Sequence, residues 1–136
     1  MKTLTSICVF TIAVLAPIGA PEVLRSATTE QPTVSLSPTE LEWVQHPPSC
    51  PGGQAVETLT NAGPGELDIS DIAIPVGGGF SQTNTCGSTL GVEESCSITV
   101  TWRGGGGSEL AQLVVTDNGV GSPQSVPLRG FCISII

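Results

Sequence analysis

The 136-residue chain has few side chains placed for covalent or acid–base chemistry. Its one histidine, His46, stands in WVQHPPSC with no carboxylate or nucleophile spaced to orient it, and a general base without such partners activates nothing. The serines fall in turns or on the wet faces of strands. His46 is therefore read as a hydrogen-bonded or solvated ring, and no enzymatic activity is expected. Glu66, Asp68 and Asp71 gather around one turn where carboxylates could approach calcium. Two of them alternate with apolar positions and nothing resembles an ordered calcium loop, so a solvated acidic face is the expectation. Arg103 followed by Gly104–Gly107 suggests a phosphate cradle. Such cradles deliver the anion to a helix N-terminus, and no helical pattern follows, so a glycine-rich turn is expected. No metal, cofactor or small-molecule substrate is expected.

The cysteines carry the clearest chemistry. Four of the five, Cys50, Cys86, Cys96 and Cys132, lie in the folded part, and an even number behind an export segment is read as disulfides. A zinc site needs histidine or carboxylate ligands alongside, or closely spaced cysteine pairs, and neither is visible. Four cysteines allow three pairings. Cys86 and Cys96 flank the turn GSTLGVEES and can close a local loop between neighbouring strands. Cys50 sits in the turn after the first strand and Cys132 just beyond the last, positions that an immunoglobulin-like topology brings to one end of the sandwich. The expected bonds are 86–96 and 50–132. On the chain-entropy model the long link stabilises by roughly 4 kcal/mol and the short one by somewhat under ~3 kcal/mol.

The elements that must hold these residues are strands. Seventeen glycines, eleven prolines, no tyrosine and abundant Thr, Ser and Val suit short strands and turns better than helices. The length allows one domain, and the part after residue 30 has the size of an immunoglobulin-like sandwich. Period-2 segments recur between Gly, Pro and Asn: TVSLSPTELEWV (33–44), AVETLTNAG (55–63), LDISDIAI (67–74), SCSITVTW (95–102), LAQLVVTDN (110–118) and QSVPLRGF (124–131). The first reads as an edge strand interrupted at Pro38.

Alternation turns Ile98, Val100, Trp102, Ala111, Leu113, Val115, Val126 and Leu128 inward, joined by Leu59, Ile69, Ile72 and Ile74, while Ser97, Thr99 and Thr101 face water. A bulge between Ile69 and Ile72 accounts for the broken register there. The fold class is all-β: an immunoglobulin-like antiparallel β-sandwich of about seven strands over residues 33–136, preceded by one N-terminal apolar helix.

That N-terminus sets the address. Lys2 precedes Leu4–Ala20, seventeen residues without a charge, the pattern of an export signal with its basic end left inside. Pro17 and Pro21 follow the small residues Ala16 and Ala20 and obstruct cleavage. A span of about 25 Å, extended to Leu24, reaches across a hydrocarbon core. Residues 1–24 are read as a retained signal anchor that contacts the membrane through residues 4–24, with a cleaved signal as the alternative; residues 25–32 form a linker.

From Glu30 onward two arginines face eleven acidic residues, a net charge of −9 that repels phosphate backbones and excludes nucleic acid as a partner. Protein partners fit better. With Leu113 and Val115 inward, Leu110 and Val114 must point out, leaving apolar area on a face expected to be polar, and Ile133, Ile135 and Ile136 form an apolar tail. These five are the candidate partner contacts. The expected role is an extracytoplasmic, membrane-anchored accessory subunit of a larger membrane complex, with a secreted or surface-displayed binding module for a protein or glycan as the alternative.

Four phrases in order, VSLSPTELEW, TLTNAGPGELDISDI, FSQTNTCGSTLGVEESCSITVTW and LVVTDNGVGSPQSVPLRG, resemble the choice-of-anchor D type of bacterial surface domain, a relative of the abnormal-spindle/hydin-like (ASH) immunoglobulin modules. The resemblance runs from residue 33 to about 131. It implies an immunoglobulin-like sandwich, repeated or appended within large exported proteins, with no catalytic residues to carry over. This domain departs in standing alone, in ending four residues after Cys132, and in adding Cys50 and Cys132 to the family's single cysteine loop.

Overall fold

Runs of β-branched residues with alternating polarity make strands, because one face packs while the other stays wet. The computed structural model describes residues 30–76 and 78–134. The expected anchor 1–24, the linker up to residue 29, Ile135 and Ile136 lie outside the described residues.

The described residues form nine strands: β1 (Thr33–Ser37), β2 (Leu41–Gln45), β3 (Gly53–Gly63), β4 (Leu67–Ala73), β5 (Phe80–Asn84), β6 (Thr89–Leu90), β7 (Ser95–Trp102), β8 (Gly107–Asp117) and β9 (Gln124–Cys132). They make two sheets, β1-β3-β7-β5 and β2-β9-β8-β4-β6. The described part is an all-β, immunoglobulin-like sandwich.

The segment 33–44 differs from the single interrupted edge strand expected of it. β1 pairs antiparallel with β3 in one sheet, whereas β2 pairs parallel with β9 in the other. Pro38, which has no N–H for a ladder, lies in the crossing between them. β5 and β6 were not distinguished in sequence, because each buries one large apolar residue, Phe80 or Leu90, and so shows no alternation.

The core fills the space between the sheets. Leu59, Ile98, Val100, Leu113, Val115 and Leu128 are fully enclosed, with Trp102 and Val126 nearly so. Ile72, Ile74 and Ala111 are partly buried against them. The register between β4 and β8 shifts between Ile69 and Asp71, which re-aims the strand past the bulge. Ser97, Thr99 and Thr101 are half-buried instead of fully wet, because β7 is an interior strand with β3 and β5 on either side.

Two asparagines clip the connections. Asn61, fully buried, donates from Nδ2 to the carbonyls of Gly65 (2.9 Å) and Leu90 (3.0 Å) and accepts from the Gly63 amide (2.8 Å). It thereby ties the β3–β4 turn to β6. Asn118 accepts from the Asp68 amide (2.8 Å) and donates to the Glu66 carbonyl (3.3 Å), holding the β8–β9 turn to the start of β4. Asn61→Ala strands the buried Leu90 carbonyl, the part-buried Gly65 carbonyl and the buried Gly63 amide, so a loss of about 2–4 kcal/mol is expected in urea unfolding. A loss under about 1 kcal/mol would show that the turn closes without this side chain.

Candidate functional site

β8 lies between β9 and β4, so its outward side chains stand in the middle of an exposed sheet face. Leu113 and Val115 point into the core, which by strand alternation turns Leu110, Gln112 and Val114 outward. Leu110 is 69% exposed and Val76, just after β4, 81%. Together with Pro75 and Val114 they line an open groove of about 380 Å³.

The apolar surface continues across the sheet. Leu110 faces Arg129 on β9 and lies diagonal to Phe131, which is paired in turn with Val44 on β2. Val44 is half exposed. The Ile133 amide donates to the Gln45 carbonyl at 2.9 Å, extending the β2–β9 ladder by one residue and presenting another partly exposed isoleucine. On β2 and β9 the charged residues of this face are Glu42 and Arg129, the latter 3.7 Å from Glu40 in a solvent-exposed pair, and on β4 Asp68 and Asp71 are exposed. Burying a side chain such as Leu110 against a partner gains about 1.5–3 kcal/mol. Of the candidate contacts, Leu110, Val114 and Ile133 are thus placed on this sheet or at its margin.

The other singled-out residues serve the fold. Cys50 is bonded to Cys132 and Cys86 to Cys96. His46 is exposed, and its Nδ1–H donates to the Ile133 carbonyl at 2.7 Å. The Gly105 amide donates to the Cys50 carbonyl (3.0 Å), and a Cβ at Gly104, whose φ is +80°, would collide with that same carbonyl. Gly104 is therefore packed tightly against the turn that carries Cys50, while the three glycines that follow are exposed. Asp68 and Glu66 are drawn into the Asn118 clip, while Asp71 sits on the bulge. Among the described residues, no three His, Cys, Asp or Glu side chains are grouped to hold a metal, and no helix is long and apolar enough to cross a membrane.

One ionisable residue escaped the sequence reading. Glu57 on β3 is completely buried, neither carboxylate oxygen has a hydrogen-bond partner among the described residues, and burial pushes its carboxyl up to about 7. Its parity with Leu59 in AVETL was the available signal.

No protein-family model matches the chain and no curated protein matches it. Solved structures do. The ASH/PapD-like domain 7 of human CEP192 superposes with a TM-score of 0.54 at 12% identity, covering 96% of this chain and 100% of that one. The fold is immunoglobulin-like, similar to that of this ASH/PapD-like domain. VesB protease and the secreted serine protease VesC, both of Vibrio cholerae, match with TM-scores of 0.52 and 0.56 at 15% and 14% identity. They are covered over 34% and 23% of their length by 82% and 74% of this chain. The chain spans less than half of several structures that it matches.

These matches correct one expectation. The sandwich fold recurs in chains that are proteases, so a sandwich without a catalytic constellation does not mark a protein as non-enzymatic. The two disulfides point to an oxidising, extracytoplasmic compartment.

Proposed function

We propose that this protein is a membrane-anchored, extracytoplasmic interaction domain that serves as an accessory subunit of a larger membrane complex. The observation that carries this reading is the apolar groove around Leu110, Val114 and Val76 on a sheet face that a free-standing sandwich keeps polar. The partner has an apolar strip bordered by basic residues, because the sandwich carries ten acidic residues against two arginines. The uncharged stretch Leu4–Ala20 behind Lys2 supplies the anchor.

Membrane fractionation with N-terminal sequencing tests the anchor: an intact Met1 in the membrane fraction is expected, and a freely soluble product beginning after residue 20 overturns it. Leu110→Asp tests the surface. The side chain makes little contact with the core, so stability shifts by less than about 0.5 kcal/mol. The variant is expected to migrate on native gels free of the assembly that retains the parent chain. An assembly unchanged by Leu110→Asp and Val76→Asp together overturns the groove as its contact.

The second reading is a module of a secreted or surface-displayed protein that binds a protein or glycan. The cysteine loop closed by Cys86–Cys96 and the phrases around it favour this reading, since they resemble the choice-of-anchor D domains. It predicts a cleaved N-terminus and saturable binding by the released chain.

A further inference from the structure

Glu57 is the one ionisable side chain that the described core encloses. β3 turns Ala55, Leu59 and Asn61 inward with it. Ile98 stands opposite on β7, and the facing sheet presents Leu41, Leu113 and Leu128 to the core. β1, β5 and β7 carry no acidic or basic residue, Glu40, Glu42, Asp68, Asp71 and Arg129 are exposed, and Asp117, the part-buried last residue of β8, accepts from the Gly119 amide at 2.7 Å. The Glu109 carboxylate on β8 is engaged by the Trp102 indole N–H at 2.9 Å. Asn61, the other buried polar residue, spends its amide on the turn.

A carboxylate in such surroundings is neutral or finds water. On one side β3 is held by β7, which commits Cys96, Ile98, Val100 and Trp102 to the core. On the other lies β1, a five-residue edge strand with only Val34 and Leu36 partly buried. Ser37, its last residue, faces Thr58, so the β1–β3 pairing stops beside Glu57, where the chain departs through Pro38–Glu40 toward β2. Water reaches the carboxylate at least cost from there.

We propose that Glu57 is a proton-operated latch for the first strand: protonated, it lets β1 and the crossing to β2 close over the core; ionised, it opens them. The closed state holds its proton up to about pH 7, whereas in the open state the carboxyl has its ordinary value of 4.5. Closure is therefore complete below pH 4.5, weakens as the pH rises from 4.5 toward 7, and is level above that. The full change in the closing equilibrium is roughly 300-fold.

Amide hydrogen exchange on the full chain at pH 5 and pH 8, corrected for intrinsic rates, tests it against Glu57→Gln and Glu57→Met. In the parent, amides of β1 and their β3 partners are expected to lose up to roughly 70-fold in protection between pH 5 and pH 8 relative to the β8–β9 ladder. Neither variant should show that difference, and carbon-detected titration should place the Glu57 carboxyl near neutrality. Equal responses in parent and both variants, a uniform loss across both sheets, or a carboxyl titrating in the ordinary range overturns the proposal. Should Glu57→Gln fail to fold, Glu57→Met and the direct titration still decide it.

Discussion

Trp102→Ala is expected to remove about 4–8 kcal/mol, most of the stability of a domain this size. The indole is 1% exposed at the end of β7, between Gly53 on β3 and Phe80 on β5. Its ring lies on the backbone of β9, since a Cβ at Gly130 would collide with it, and it meets Trp43 at 6.5 Å with a 46° tilt. Walls made of strand backbone cannot relax into the space that alanine would leave. Truncation of a buried tryptophan costs about 3–5 kcal/mol in such a setting.

A second loss adds to it. The indole N–H is bonded to Glu109 Oε2, and removing the donor leaves a part-buried carboxylate unmatched, for about 1–3 kcal/mol more. Trp102→Phe separates the two effects, because it keeps most of the ring volume and loses the donor. In urea titrations followed by circular dichroism the phenylalanine variant should fall well between parent and alanine. Equal midpoints for the two variants would mean that the hydrogen bond and not the packing closes this end of the sandwich.

Trp102 could be placed from sequence because SCSITVTW alternates over eight residues, long enough for parity to settle every inward position. The same parity put Leu110 and Val114 outside once Leu113 and Val115 were in. Glu57 follows the identical rule, but a carboxylate on the inner face contradicts the usual link between charge and exposure, and polarity alone hides it. The sheet switch at Pro38 was beyond local signals. Proline ends a strand whether the chain then resumes in the same sheet or in another, and what decides is the parallel pairing of Leu41 with Leu128, far along the chain. β5 and β6 exist because long neighbours offer them an edge, which no short run of residues encodes.

Removing the Cys50–Cys132 bond by alanine at both positions is expected to cost about 4–5 kcal/mol, and removing Cys86–Cys96 under about 3 kcal/mol. The bridges close separations of 82 and 10 residues, and the entropy that a crosslink removes from the unfolded chain grows with that length. The two act at opposite ends of the sandwich. Gln45 pairs with Cys132, and Trp43 and Trp102 pair with Gly130 and Gly53 nearby, whereas Cys96 pairs with Leu59 deep on β3. Tryptophan emission should therefore shift when the long bridge is lost and stay unchanged when the short one is. A short-bridge variant as unstable as the long-bridge one would mean that local strand contacts, not chain entropy, set the contribution of each. If the values hold, the two bridges together supply about 7 kcal/mol to a domain whose whole stability lies near 5–15 kcal/mol. A chain kept reduced would then be close to unfolded, so the oxidising compartment is a condition for the sandwich to persist and not only the place where it is found.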